Sequence, residues 1–200
     1  MKCKNSKKDF NIIIVGTGGQ GQITLFQILA EAAFNEGYDV KTAELHGLSQ
    51  RGGAVEAQVR FGKELFSPLV FQGGADLILS LEMQEALRAL YYASKDTQFL
   101  VNKLFLPIPG QSQIPEKEIL TEIKKFTKKI ELVPASEICK KELGKEILAG
   151  VYLVAFTSFK KLIPLKPESI SAAIKKIIPE KYRELNLKAF NFASKNEAVK

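Results

Sequence analysis

The sequence predicts an α/β fold of three layers (α/β/α), with helices on both faces of a mostly parallel, mixed β-sheet. The first observation is an apolar run at residues 12–15 that joins directly to a glycine-rich turn at residues 16–21, as when a buried strand leads into a helix. The second is the alternation of strand-like and helix-like segments up to residue 133. The third is the helical periodicity of the remainder. Together they predict a Rossmann-like first turn and a helical C-terminal part.

Each element follows from its hydrophobic periodicity and its boundary residues. Residues 23–33 keep near-helical apolar spacing before Gly37, and residues 55–61 alternate apolar with polar side chains as a half-buried strand does. The predicted strands are 10–15, 39–44, 54–61, 64–66, 76–81, 97–101 and 129–133. The predicted helices are 20–35, 82–92, 116–126, 135–143, 145–159, 167–178 and 185–192. The proline-rich stretch 106–115 is expected to be a loop or an arm at the rim.

The connection between the second and third strands bears on the direction of the strands. It contains only about nine residues, fewer than the dozen or so that a parallel crossover needs. The sheet is therefore expected not to be purely parallel. Gly62 and Lys63 then resemble the two-residue turn of a hairpin leading into the short strand 64–66.

Length and composition limit the function classes. A chain of 200 residues with 46% hydrophobic content fits one domain, residues 1–200, with a sizeable core. Its two cysteines, Cys3 and Cys139, are fewer than the four thiolates that an iron–sulfur cluster normally needs, so no such cluster is expected on this chain. The basic N-terminus leads only into a short apolar strand, which resembles neither a signal peptide nor a membrane span. We expect a cytoplasmic protein.

The net charge of +7 comes largely from lysine pairs after residue 117. These pairs are spread along helix-like segments, which is typical of solvated helix faces. Since no arginine-rich or aromatic-interleaved stretch accompanies them, we expect neither nucleic acid nor a membrane as partner. An acidic protein partner is compatible with this charge.

The glycine-rich turn is the first candidate binding site. Gly16, Gly18 and Gly21 have the G-x-G-x-x-G spacing, and Gly19 and Gln20 lie between them. Glycines there permit a tight turn and leave backbone N–H groups free to approach an anion at the positive end of a helix. The alternative is that the glycines only let the helix pack closely on the sheet.

A second glycine-rich loop at residues 46–53 contains Ser49, Gln50, Arg51 and Gly52. The planar Arg51 guanidinium can bind a phosphate or carboxylate through two parallel hydrogen bonds, or it can form a salt bridge that only fixes the loop. Ser49 lacks the G-x-S-x-G context of a nucleophile. The only histidine, His46, is interpreted as a loop anchor. No catalytic residue and no metal-ligand set is predicted on this chain.

Both loops follow strand ends, so we expect them side by side at the carboxyl edge of the sheet, where ligands of open α/β folds bind. A nicotinamide-dependent oxidoreductase is one alternative, with Glu44 near the position of a ribose-binding carboxylate. The predicted order of elements does not favour this alternative, because a dinucleotide-binding fold places a crossover helix after its second strand. A purely structural subunit without its own ligand is the other alternative.

Several stretches together resemble the gamma-type subunit of the 2-oxoacid:ferredoxin oxidoreductases, in particular the indolepyruvate branch of that family. They are the turn at 16–21, Ile-Leu-Ala-Glu-Ala-Ala at 28–33, Gly-Tyr-Asp-Val at 37–40 and His-Gly-Leu-Ser-Gln-Arg-Gly-Gly at 46–53. The loop at 46–53 indicates the branch. Residues 60–62 with 67–69, and residues 186–190, agree, so the resemblance spans nearly the whole chain.

The resemblance implies a non-cluster subunit of an enzyme that converts a 2-oxoacid and coenzyme A to an acyl-CoA and carbon dioxide, with electrons passed to ferredoxin. It places thiamine diphosphate and the iron–sulfur clusters on a larger partner subunit, so that this chain binds no cofactor alone and acts in a hetero-oligomer. The glycine-rich loops would then face the partner's active site or the co-substrate coenzyme A. The proline-rich stretch 106–115 is expected to contribute to the interface.

Overall fold

A computed structural model of the protein describes residues 9–47, 52–107 and 112–195. The strands are β1 (Phe10–Thr17), β2 (Asp39–His46), β3 (Ala54–Gly62), β4 (Leu77–Ser80), β5 (Gln98–Asn102) and β6 (Ile130–Val133). The helices are α1 (Gln22–Asn35), α2 (Glu85–Arg88), α3 (Glu116–Lys124), α4 (Ala135–Leu143), α5 (Ala149–Phe159), α6 (Pro167–Ile177) and α7 (Glu180–Lys195). Two 3-10 turns, Ala89–Tyr92 and Glu146–Leu148, follow α2 and precede α5.

The six strands form one mixed sheet in the order β2-β3-β1-β4-β5-β6. Only β3 runs against its neighbours: it pairs antiparallel with both β1 and β2, whereas β1, β4, β5 and β6 pair in parallel. The prediction that the sheet is not purely parallel is therefore confirmed. Its cause is the short β2–β3 connection, which cannot contain a crossover helix.

Helices cover the two faces of the sheet unequally. One face packs under α1 and α4–α7, and side chains of β1, β3, β4 and β5 join that core, including Ile12, Ile14, Val59, Phe61 and Leu79. The other face packs under α2, the turn after it and α3, with Ile13, Val15 and Ile78 as sheet residues. Alternate residues of one strand thus enter opposite cores, as the pleat requires. The three-layer α/β/α prediction is confirmed.

Two sequence predictions are wrong, the strand at 64–66 and the helix at 82–92. Residues 64–66 form no strand, because the Asp39 carboxylate accepts the Leu65 N–H at 2.8 Å where a ladder bond would stand. The helix expected at 82–92 is only the four-residue α2 and a 3-10 turn. There the carbonyls of Tyr91 and Tyr92 accept the N–H groups of Gly73 and Ala75, which ties the end of this segment to the loop before β4.

Cys139 lies on α4 in the first core and is fully buried. Burial raises the pKa of its thiol to about 12, because the thiolate would lose its hydration. A Cys3→Ser variant is therefore expected not to react with Ellman's reagent at mildly alkaline pH while folded, and to release a single thiol equivalent in denaturant. Rapid labelling of the folded variant would show that α4 opens far more readily than its packing indicates.

Candidate functional site

A cavity of about 300 Å³ lies at the carboxyl ends of β1, β4 and β5. In the sheet, β3 and β2 lie on one side of β1, and β4, β5 and β6 lie on the other side. The cavity therefore lies at the topological switch point, where open α/β sheets bind ligands. Its lining residues are Thr17, Gly18, Gly19, Gln20, Leu81, Asn102, Leu104, Leu106, Ser136, Glu146, Ile147, Ala149 and Gly150.

The glycine-rich turn forms one wall of this cavity. Gly19 and Gly21 have φ angles of 103° and 82°, in the left-handed region that side chains other than glycine rarely adopt. Gly21 is the N-cap of α1, and among the described residues no side chain caps the helix there. The backbone N–H groups of the first turn of α1 are thus available to a ligand or a partner.

Two glutamine side chains fix the shape of the turn. The Gln20 amide oxygen accepts the Thr17 N–H at 2.8 Å, and its amide nitrogen donates to the Leu81 carbonyl at 3.1 Å. The Gln22 amide donates to the Thr17 carbonyl at 2.7 Å. A Cβ at Gly16 would lie 2.6 Å from Gln22 Nε2 and 2.7 Å from Gln20 Oε1, so glycine at this position lets both amides keep the places they have. The Gln20 amide therefore positions the loop, and because Gln20 also lines the cavity its binding of a ligand stays a prediction.

The opposite wall depends on a polar cluster that sequence reasoning missed. Asn102, at the end of β5, donates to the Leu81 carbonyl at 3.0 Å and to Ser136 Oγ at 2.9 Å, and it accepts the Ser136 N–H at 3.2 Å. The Leu81 carbonyl thus receives the amides of both Gln20 and Asn102. The switch-point rule could have indicated Leu81 and Asn102, since each stands at the carboxyl end of a predicted strand.

The stem of the second glycine-rich loop lies beside the first loop. The Gly18 N–H donates to the Gly53 carbonyl at 2.8 Å, and the Gly52 N–H donates to the Gly18 carbonyl at 3.4 Å. The φ angle of Gly52 is 71°, in the left-handed region. The structure therefore brings Gly18 and Gly52 together as the sequence predicts. Ser49, Gln50 and Arg51 lie outside the described residues.

The cavity is nearly neutral. Glu146 is the only charged side chain among the described lining residues, and it is exposed to solvent. Leu81, Leu104 and Leu106 supply apolar walls. Such a lining suits an uncharged group that carries amides and apolar carbons better than a bare phosphate.

A buried carboxylate secures the chain beside the cavity. Glu82 follows β4 and is almost fully buried, where it accepts the Glu85 N–H at 2.9 Å and the Leu106 N–H at 3.3 Å. Loss of hydration raises the pKa of Glu82, and the backbone donors partly offset that rise. Glu82 thus holds the start of the proline-rich stretch, of which residues 108–111 lie outside the described residues.

The sheet order does not fit a dinucleotide site. In a dinucleotide-binding fold the second strand lies beside the first, whereas here β3 separates β2 from β1. Glu44 pairs with Ala57 of β3 and therefore stands one strand further from the glycine-rich turn than a ribose-binding carboxylate would.

Metal-binding clusters and membrane-spanning helices are both absent from the part of the chain that the structure describes. Outside residues 1–8, 48–51, 108–111 and 196–200, no three His, Cys, Asp or Glu side chains are grouped so as to hold a metal ion. Among the residues that the structure describes, no helix is long and apolar enough to cross a membrane.

Comparison with known proteins assigns the family. The family model for pyruvate ferredoxin/flavodoxin oxidoreductase matches residues 11–195. The chain belongs to this family. Indolepyruvate oxidoreductase subunit IorB of Archaeoglobus fulgidus is 39% identical to it over 94% of this chain and 95% of that protein. The resemblance to an oxidoreductase subunit of the indolepyruvate branch is thereby confirmed.

Solved structures of ferredoxin oxidoreductases share the fold. The gamma subunit of a keto/oxoacid ferredoxin oxidoreductase from Geobacter sulfurreducens superposes with a TM-score of 0.69 at 21% identity, over 96% of this chain and 99% of that one. A 2-oxoglutarate:ferredoxin oxidoreductase from Magnetococcus marinus gives a TM-score of 0.72 at 20% identity, over 96% of this chain but only 32% of that one. In the latter protein the fold is one part of a much longer chain.

Proposed function

We propose that this chain is the non-cluster subunit of a 2-oxoacid:ferredoxin oxidoreductase that acts on indolepyruvate or a similar arylpyruvate. In this reaction a 2-oxoacid and coenzyme A give an acyl-CoA and carbon dioxide, and two electrons reduce ferredoxin. The observation that carries the proposal is the similarity, over almost the full length of both chains, to a protein named as an indolepyruvate oxidoreductase subunit.

We assign the redox chemistry of the complex to a larger partner subunit and place the complex in the cytoplasm. Two cysteines cannot supply the four thiolates of a cluster, so the iron–sulfur clusters and thiamine diphosphate would be held by the partner, which would also pass electrons to ferredoxin. The chain would act only in this hetero-oligomer. The longer chain from Magnetococcus marinus, in which this fold is one part, supports such an arrangement.

Within the complex, we propose that the cavity and the two glycine-rich loops bind coenzyme A beside the partner's active site. Gly18 and Gly19 line the cavity together with its apolar walls, which fit the uncharged, amide-bearing arm of coenzyme A, and Gly16 and Gly21 shape the turn beside it. Gln20 would keep the loop in shape. In the second loop, the Arg51 fork would bind a phosphate or a carboxylate, with Ser49, Gln50 and Gly52 beside it.

The experiment is anaerobic purification of the tagged chain alone and after co-expression with the larger subunit encoded in the same genome. The isolated chain is expected to be colourless and inactive, and the complex to contain thiamine diphosphate and iron and to reduce ferredoxin with indolepyruvate and coenzyme A. Stoichiometric iron or thiamine diphosphate on the isolated chain would contradict the proposal. So would a larger subunit whose activity is complete without this chain.

A further inference from the structure

Asn102 binds Ser136 at two points, and the direction of both hydrogen bonds is unambiguous. The Asn102 amide oxygen accepts the Ser136 N–H, and its amide nitrogen donates to Ser136 Oγ and to the Leu81 carbonyl. Because an N–H only donates and a carbonyl only accepts, the two ends of the amide cannot be exchanged. Asn102 is 1% exposed and Ser136 5%, and both line the cavity.

The proton of the Ser136 hydroxyl has no acceptor among the residues that the structure describes. A hydroxyl has one proton to donate, and since Ser136 Oγ already receives the Asn102 amide at 2.9 Å, that proton is directed away from Asn102. The other hydroxyl of the lining, on Thr17, donates to Gln20 Oε1 at 3.2 Å and is already used. Because a buried donor without an acceptor is costly, the Ser136 proton needs an acceptor inside the cavity.

The two backbone carbonyls at this end of the cavity are already occupied. The Leu81 carbonyl receives the amides of both Gln20 and Asn102, which uses both of its lone pairs. The Thr17 carbonyl receives the Gln22 amide at 2.7 Å and the Gln20 N–H at 3.2 Å. The groups left to bind a ligand here are donors, namely the serine hydroxyl and the first N–H groups of α1. A hydrogen-bond acceptor therefore fits this end of the cavity.

We propose that the Ser136 hydroxyl donates a hydrogen bond to a carbonyl-type oxygen of a substrate in the cavity, and that Asn102 is the positioning residue that directs it. The inference rests on the function proposed above, in which this oxygen belongs to an amide of the coenzyme A arm. An uncharged carbonyl matches a lining in which Glu146 is the only charged side chain among the described residues. A carboxylate oxygen of the 2-oxoacid has the same acceptor chemistry, and the kinetic constants of the two substrates distinguish these sources.

The test uses the reconstituted complex with Ser136→Ala, which removes the hydroxyl. The matched control is Ser158→Ala, because Ser158 on α5 is similarly buried but its hydroxyl donates to the Leu165 carbonyl at 3.0 Å, away from the cavity lining. Michaelis constants for coenzyme A and indolepyruvate are measured separately. The dissociation constant of desulfo-coenzyme A, which keeps the amide arm but lacks the thiol, is measured by calorimetry. Urea midpoints show whether each variant folds.

Ser136→Ala is expected to raise the Michaelis constant for coenzyme A and the dissociation constant of desulfo-coenzyme A roughly three- to tenfold with kcat unchanged, as loss of one neutral hydrogen bond does. Ser158→Ala is expected to lower only the urea midpoint. A rise confined to the Michaelis constant for indolepyruvate would support the Ser136 donor and assign the oxygen to the 2-oxoacid. Wild-type constants in a folded Ser136→Ala complex would overturn the inference and leave the proposed function intact. A wild-type complex that turns over without coenzyme A would overturn the proposed function, and the constant for indolepyruvate would then decide the role of Ser136.

The positioning role of Asn102 is tested with Asn102→Ala, alone and combined with Ser136→Ala. Asn102→Ala is expected to raise the same constant for coenzyme A, and the double variant to show much less than the product of the two single effects, because Asn102 acts through Ser136. Effects that multiply would overturn this role. If Ser136→Ala fails to fold, Ser136→Cys, which keeps nearly the same shape with a weak S–H donor, is expected to raise the same constant, and a wild-type value would overturn the inference.

Discussion

Replacing Phe61 by alanine is expected to lower the free energy of unfolding by about 3–5 kcal/mol. Phe61 is fully buried at the end of β3, where its ring stacks on Phe10 at 5.5 Å and meets the edge of Tyr38 at 5.2 Å. Removing the ring deletes apolar contacts and leaves a cavity between β3 and its neighbours that the surrounding side chains fill only in part.

Urea unfolding of the isolated chain, followed by far-UV circular dichroism, measures this loss. Phe34→Ala is the matched control, because a phenylalanine that is 67% exposed should contribute no more than about 0.5 kcal/mol. If the two variants unfolded at the same urea concentration, the ring of Phe61 would not be part of the core.

Gly16→Ala is expected to reduce the turnover of the reconstituted complex by roughly 100-fold while the chain still folds. The new methyl group would meet Gln20 Oε1 at 2.7 Å, Gln22 Nε2 at 2.6 Å and Leu81 Cβ at 3.1 Å. Both amides must then move, and the turn loses the hydrogen bonds that define its wall of the cavity. Overpacking of this kind lowers the free energy of unfolding by only about 1–3 kcal/mol, so the chain is expected to stay folded while turnover falls.

Steady-state kinetics with coenzyme A and indolepyruvate varied separately, together with the urea midpoint, separate the two effects. Gly74→Ala is the control, expected to keep wild-type kinetics, since its Cβ would also press on a side chain, the Phe71 ring at 2.9 Å, but away from both glycine-rich loops and from the cavity lining. Wild-type kinetics for Gly16→Ala would show that the shape of the turn is irrelevant to the reaction, and would favour a purely structural subunit.

Local periodicity was sufficient for most elements. The prediction for α4 matches residue for residue, and β1, β3 and α6 differ from their predictions by one or two residues at an end. These segments carry their own pattern: an apolar run, an alternating strand, or a helix with proline at its entry. The two wrong predictions, at 64–66 and 82–92, concern segments with hydrogen bonds to residues distant in the sequence. The Asp39 carboxylate binds the first segment, and the carbonyls of Tyr91 and Tyr92 in the second bind residues 73 and 75.

The sequence by itself determined the mixed α/β sheet, the two glycine-rich loops and the family, because these depend on short-range spacing and on motifs read along the chain. Only the tertiary structure decided the order β3-β1-β4-β5, and with it the cavity where Gln20 and Asn102 meet at the Leu81 carbonyl. It also decided that the side chain of Gln20 positions the loop. Pairing between distant strands is set by how the apolar faces are buried together, which no local pattern specifies.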